Sequence, residues 1–242
     1  MNLNFVNRIR FLTIFALKKQ QDLRKQPLQI SMRNHSTITE FILTGLSDDP
    51  YIQALLFVLF LVIYLLTMMG NLTMLLLIRA DSHLHTPMYF FLSNLSFLDL
   101  CFSCVTLPKL LKDLLFERKT ISIEGCLTQV FFVFFSSGTE ACLHSVMAYD
   151  CYAAICHPLH YGQVMSTQLC VRLVLISWGL ACLNEFVIVL LAISLDFCDA
   201  QTIHHYTCEL PALFPLSCSD ISVTNILLCS SLLHGLGTFI PI

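Results

Sequence analysis

The chain has 242 residues, of which 56% are hydrophobic and only 12% are charged, and its formal net charge is −3. Soluble domains contain about 45–50% apolar and about 25% charged residues, so this chain has too few charged groups to solvate a globular surface. The composition therefore favours a protein surrounded by lipid, and nothing in it suggests the concentrated basic surface that nucleic-acid binding needs.

The amino-terminal residues 1–31 differ from the rest because basic residues surround one short apolar stretch, Phe11 to Leu17. Basic residues followed by apolar residues are typical of a signal peptide, but this stretch is short and no small-residue cleavage site follows it. A signal peptide and an unstructured extension both stay open, and the extension is favoured. Met32 is a candidate start of the membrane protein, and residues 32–51 are predicted to form an extracellular segment.

Long apolar runs follow, and a helix needs about 20 residues to cross roughly 30 Å of hydrocarbon. Because lipid offers no hydrogen bonds to the backbone, each run is expected to be helical. Four full spans and part of a fifth are predicted at 52–78, 88–108, 127–149, 173–195 and 221–242. The predicted fold class is an all-α transmembrane helical bundle, with residues 52–242 forming one domain.

The orientation of these spans depends on the connections between them. Counted alone, the Lys and Arg residues of the short connections lean towards a cytosolic amino terminus or decide nothing. Asn34 begins a glycosylation acceptor pattern, Asn34-His35-Ser36, just ahead of the first span. Four cysteines fall on the faces that an outside amino terminus makes exoplasmic, where disulfides form: Cys126, Cys198, Cys208 and Cys218. An outside amino terminus with glycosylated Asn34 is therefore predicted.

Two carboxylates lie inside predicted spans, Asp99 in the second and Glu140 in the third. An isolated carboxylate in hydrocarbon costs roughly 2.5–3.5 kcal/mol even on lenient scales, so both should face the interior of the bundle. Such a pair either shares a proton or holds a cation. A protonated pair that only holds the helices together also stays open. Asn71 of the first span can join either network.

Two further polar groups occupy the third and fourth spans. His144 follows Glu140 by four residues on the same helical face, where a structural role is favoured over a proton relay. Glu185, next to Asn184, is predicted to be a contact within the bundle, and a contact with a ligand is the open alternative. No nucleophile–base set or phosphate-binding loop accompanies these groups, so no enzyme is expected.

A set of motifs runs in a fixed order along about residues 34–242. The motifs are Thr39–Leu46, Gly70-Asn71, Leu84–Leu92, Leu95–Asp99, Pro108-Lys109, Ile121–Cys126, Met147–Leu159 and Leu216–Asp220. Together they resemble the odorant receptors, a branch of the rhodopsin-like G-protein-coupled receptors. The resemblance implies a multi-pass protein of the plasma membrane that binds small volatile odorants and signals through a heterotrimeric G protein.

The resemblance also implies disulfide and ion sites. Cys126 and Cys208 resemble the family's link between the third helix and the second extracellular loop. Cys198 and Cys218 resemble its extra bridge within that loop, whereas the sequence alone leaves the pairing open. Asp99, Glu140 and Asn71 match a sodium site of the family, so a sodium ion is the only cofactor that the resemblance implies. A metal site among His204, His205, Cys208 and Glu209 is not expected, because a disulfide removes the thiolate.

The ligand pocket is expected on the third helix by the same resemblance, at Val130, Val133, Phe134, Ser137 and Gly138. Apolar side chains there would give dispersion contacts to volatile ligands, and the serine would give one hydrogen bond.

The coupling segment on the cytosolic face is Asp150, Cys151 and Tyr152. The family has Arg where this chain has Cys151, and a cysteine has only one weak donor in place of a guanidinium. The chain also ends at Ile242, in what resembles the middle of the family's fifth helix. We therefore expect a truncated receptor that does not couple to the G protein, with retention in the endoplasmic reticulum left open. The alternative function is a non-signalling membrane-spanning partner, or the degraded product of a disrupted receptor gene.

Overall fold

The computed structural model describes residues 40–47, 49–116, 119–194, 202–203 and 205–217. Within these ranges four long helices follow one another: α1 Pro50–Ala80, α2 Pro87–Leu115, α3 Ile123–Cys156 and α4 Thr167–Ile193. Each is long and apolar enough to cross a membrane, so the predicted helical fold class is confirmed. The predicted fifth span at 221–242, the extension 1–31 and the acceptor Asn34 lie outside the described residues.

The helices extend beyond most of the predicted boundaries, and polar side chains cap the starts of α1, α3 and α4. The carboxylate of Asp49 accepts a hydrogen bond of 2.8 Å from the N–H of Tyr51 at the start of α1. The hydroxyl of Ser122 accepts one of 3.1 Å from the N–H of Gly125. Such caps satisfy N–H groups that the first turn of a helix leaves unpaired. As a result α3 begins at Ile123 and includes Cys126.

The structure corrects the predicted end of the second helix at Pro108, because α2 continues to Leu115. Proline removes one backbone N–H and crowds the preceding turn, which usually ends or kinks a helix. Packing of the next turns offsets that cost here, since Leu110 and Leu114 are buried. Membrane helices tolerate proline when neighbouring groups satisfy the freed backbone.

Three short strands form a small sheet at one end of the bundle: β1 Glu40–Leu43, β2 Thr120–Ser122 and β3 Thr202–Ile203. The strand order is β2-β1-β3, with β1 antiparallel to β2 and parallel to β3. Side chains alternate along a strand, so Phe41 and Leu43 point inward and are 1% and 3% exposed. The sheet and residues 205–217 together are called the end cap below.

The end cap shares one hydrophobic core with the adjoining ends of α3 and α4. Its buried members are Phe41, Leu43, Ile121, Cys126, Val130, Ile188, Ala192, Ile203, Cys208, Leu210, Leu213, Phe214 and Leu216. A second core joins α2, α3 and α4 and includes the segment that leads into α4: Phe91, Leu98, Leu143, Ala153, Met165, Cys170 and Val174. Two separate apolar clusters therefore hold α2, α3 and α4 together, and α1 contributes no residue to either.

The turn after β1 requires glycine. Gly45 has a φ of +73°, and a Cβ at this position would lie 2.6 Å from Nζ of Lys119. We predict that Gly45→Ala lowers the stability of the protein by about 1–2 kcal/mol, because an L residue is strained at positive φ. Gly70→Ala is the matched control, since nothing lies within 4 Å of a Cβ there.

Thermal unfolding of both variants in bilayer nanodiscs measures the effect. A lower midpoint for Gly45→Ala alone is expected, and equal midpoints for the two variants would contradict the assigned turn.

Candidate functional site

The disulfide between Cys126 and Cys208 fastens the loop after α4 to the start of α3. The two Cα atoms are 5.2 Å apart, which lies within the usual range for a disulfide. Both cysteines are fully buried in the core of the end cap. The second proposed pair, Cys198 and Cys218, lies outside the described residues.

Gln129 also holds the loop after α4 to α3, a role that was not predicted from the sequence. Its side-chain oxygen accepts a hydrogen bond of 3.1 Å from the main-chain N–H of Cys208, and its side chain is buried. A buried amide N–H needs such a partner, because leaving it unsatisfied costs about 1–3 kcal/mol. The only signal in the sequence was a polar residue three positions after Cys126 in an apolar run.

The five predicted pocket residues do not share one environment. Val130 is 0% exposed inside the core of the end cap, and a Cβ on Gly138 would lie 3.5 Å from Cβ of Ala181 in α4. Phe134 is half-buried against the core of the end cap. The hydroxyl of Ser137 is exposed and donates to the main-chain oxygen of Val133 at 2.9 Å. Val130 is thus buried, Ser137 is exposed, and the other three are half-buried, with Gly138 facing α4.

The predicted ion-site residues lie on three different helices. Asn71 of α1, Asp99 of α2 and Glu140 of α3 are each half-buried. The side-chain nitrogen of Asn71 donates 3.0 Å to the main-chain oxygen of Thr67. Nδ1 of His144 lies 2.7 Å from the main-chain oxygen of Glu140. A sodium site at these residues stays a prediction.

Besides Asp150, described below, two acidic side chains of the described residues are buried. Asp113 of α2 is 6% exposed and forms an ion pair with Lys109, four residues earlier. Glu185 of α4 is 2% exposed and accepts a hydrogen bond from Asn184. In each carboxylate the second oxygen has no hydrogen-bond partner in the part of the chain that the structure describes.

The end cap also contains an aromatic pair. The ring of His205 stacks on that of Tyr206, with centroids 4.5 Å apart, and Nδ1 of His205 lies 3.1 Å from the main-chain oxygen of Thr207. Burial, and then the nearby charge of Glu209, raise the pKa of the Tyr206 hydroxyl. His204 lies outside the described residues, and among those that are described no three His, Cys, Asp or Glu residues could hold a metal.

The predicted coupling segment lies at the opposite end of α3. Asp150 is 3% exposed, and its Oδ1 accepts a hydrogen bond of 2.7 Å from the hydroxyl of Tyr161. Cys151 and Tyr152 are exposed, and the Tyr152 ring meets the His157 ring edge-on. Tyr161, in the short helix Tyr161–Val164, was missed because nothing in the sequence marks its partner. The segment therefore divides into one fixed and two accessible side chains.

Comparisons with known proteins agree with this architecture. A family model described as olfactory receptor matches residues 60–237. Olfactory receptor 8S1 of Homo sapiens is 66% identical over 212 residues, which cover 87% of this chain and 59% of the relative. Olfactory receptor-like protein OLF4 of Canis lupus familiaris is 46% identical over 82% of this chain and 64% of its own length. This chain thus spans about three fifths of the length of the relatives it matches.

The hydrogen bond from Tyr161 to Asp150 yields a testable result. Tyr161→Phe leaves an oxygen of a buried carboxylate without its donor, so we predict a loss of about 1–3 kcal/mol in stability. Tyr152→Phe is the control, because Tyr152 is 52% exposed and surface substitutions change stability little. Thermal unfolding of both variants at neutral pH measures the difference.

The pH dependence of that loss has a defined sign. Burial, and then the hydrogen bond to Asp150, raise the pKa of Tyr161 above its ordinary value of 10.0. The unfolded chain loses this proton first, so the stabilisation is complete below about pH 10 and is lost as the pH rises further. The difference in the free energy of unfolding between the wild type and Tyr161→Phe should therefore shrink above that pH. A stability difference that stays constant up to pH 11 would argue against the hydrogen bond between Tyr161 and Asp150.

Proposed function

Because the chain belongs to the olfactory receptor family, we propose that it is a multi-pass membrane receptor that binds small volatile odorants within its helical bundle. The family match over residues 60–237 is the observation that carries this proposal. Val133, Phe134 and Ser137 of α3 are the accessible candidates for contact with the ligand. Val130 and Gly138 are proposed to act by holding the wall of the pocket, since both pack against other parts of the protein.

The end cap is proposed to face the outside. The disulfide of Cys126 and Cys208 supports this orientation, because disulfides form and persist in oxidising compartments. The chain enters α1 from the end cap, which supports our proposal of an amino terminus outside the cell, with Asn34 as an acceptor for glycosylation. Asp150 then faces the cytosol, where a heterotrimeric G protein would bind. The plasma membrane is the proposed location.

Coupling to the G protein is proposed to be impaired at Cys151. The contacts of Asp150 with Tyr161 support a fixed end of α3, and Cys151 lies exposed beside it. A guanidinium offers five donors in a rigid fork, whereas a thiol offers one weak donor. This difference favours the second candidate function, a receptor-like partner in the membrane that binds without signalling.

Sodium is proposed as an additional ligand of Asp99, Glu140 and Asn71. The half-buried position of all three on neighbouring helices supports the proposal. Two carboxylates in a medium of low dielectric constant favour either a shared proton or a bound cation. No other cofactor is expected.

Two readouts from cells that express this chain test the proposed function. Displacement of a photoreactive odorant analogue by unlabelled odorants should reveal binding, whereas cellular cAMP should not rise with any ligand. The mass shift from a glycan on Asn34, lost in Asn34→Gln, reports the orientation in the same cells. A ligand-dependent cAMP rise would contradict the impaired coupling, and labelling that no odorant displaces would contradict odorant binding.

A further inference from the structure

One face of α4 is buried along the length of the helix and contains a carboxylate. The buried residues are Cys170, Val174, Ser177, Ala181, Glu185, Ile188 and Ala192. They recur every three or four residues, which is the spacing of one helical face. Glu185 therefore belongs to the face that α4 turns towards the bundle, and lipid surrounds the opposite face.

The neighbours of Glu185 along this face fix its level in the bundle. Ala181, one turn earlier, packs against Gly138 of α3. Ile188, almost one turn later, belongs to the core that contains Val130. Since α3 runs away from the end cap and α4 returns to it, Glu185 lies at a level between Gly138 and Val130. That interval of α3 contains the accessible pocket candidates named above.

The hydrogen bonds of Glu185 are incomplete. Oε1 accepts a hydrogen bond of 2.8 Å from the side-chain amide of Asn184, and Oε2 has no partner within the described ranges. A buried acceptor without a donor costs about 1–3 kcal/mol, and native proteins keep few such groups without a reason. We propose that Oε2 of Glu185 anchors an odorant that carries a hydroxyl group. This inference rests on the proposed odorant binding.

The apolar neighbours of Glu185 favour a ligand whose hydrogen-bond donor is uncharged. Ala181 and Ile188 are apolar neighbours on α4, so an ion pair with an ammonium would require two charges to leave water, a desolvation cost that can exceed the attraction between them. Ethers, esters and aldehydes only accept hydrogen bonds and would leave an unprotonated Oε2 without a donor, whereas a hydroxyl group both donates and accepts and so suits either protonation state of the carboxyl group. An aliphatic alcohol supplies one donor and an alkyl chain that packs against the wall. The ligand class is therefore a small aliphatic alcohol.

Photolabelling of the full chain in phosphatidylcholine nanodiscs tests this assignment. The probes are a diazirine-bearing octanol, its methyl ether and the corresponding amine, each displaced with unlabelled 1-octanol or octane. The wild type should take up the alcohol at least about tenfold better than the ether. Glu185→Leu should remove this preference, which corresponds to about 1.4 kcal/mol. Glu185→Gln keeps a carbonyl acceptor and should retain most of it.

Leu183→Ala is the matched control, because Leu183 is 66% exposed and faces away from the buried stripe. Thermal unfolding of every variant shows that the bundle is intact. An unchanged alcohol preference in Glu185→Leu overturns the inference, as does a wild-type preference for the amine. Equal losses in Glu185→Gln and Glu185→Leu overturn the role of the side-chain oxygen as the hydrogen-bond acceptor. Displaceable labelling without any alcohol preference overturns this inference alone, and labelling that nothing displaces overturns odorant binding as well.

Discussion

The attachment of the loop after α4 to the start of α3 is the constraint on which the rest of the structure depends. Cys126 and Cys208 are separated by 82 residues in sequence, and a native disulfide typically contributes about 2–5 kcal/mol. Gln129 adds a buried hydrogen bond to the same loop. This fixed loop presents Ile203 beside Leu43, so β1 has a partner on each side. Three separate chain segments thereby become one end cap with a common core.

The end cap also determines what the interior of the bundle can do. Ile188 and Ala192 of α4 share its core with Val130 of α3, which sets the spacing of these two helices near the end cap. Below this core, Ala181 and Gly138 bring the helices together again. The carboxylate of Glu185 is enclosed between these two contacts, and its burial follows from them. Ionisable groups in such a position pair with a neighbouring group or contact a ligand.

The sequence predicted the four helices well because the length of an apolar run has a direct physical meaning in lipid. It did not predict the starts of α1 and α3, because Asp49 and Ser122 act as caps only in the folded chain. The strands were also missed: β1 has four residues, and its partners are distant in sequence. The contact of Tyr161 with Asp150 depends on the path of a loop. The pairing of Cys126 with Cys208 came from family resemblance, since spacing alone leaves it open.

Hydrogen exchange at the amides of Leu43, the last residue of β1, and of Thr44, the next residue, tests the central constraint most directly. The N–H of Leu43 donates 2.8 Å to the main-chain oxygen of Lys119, and that of Thr44 donates 3.2 Å to Ile203. Both amides should exchange slowly in the oxidised protein, because opening them requires disruption of the end cap. Reduction of the disulfide should speed the exchange at Thr44 more than at the amides of α2. Rapid exchange in the oxidised protein, or exchange unaffected by reduction, would contradict the account.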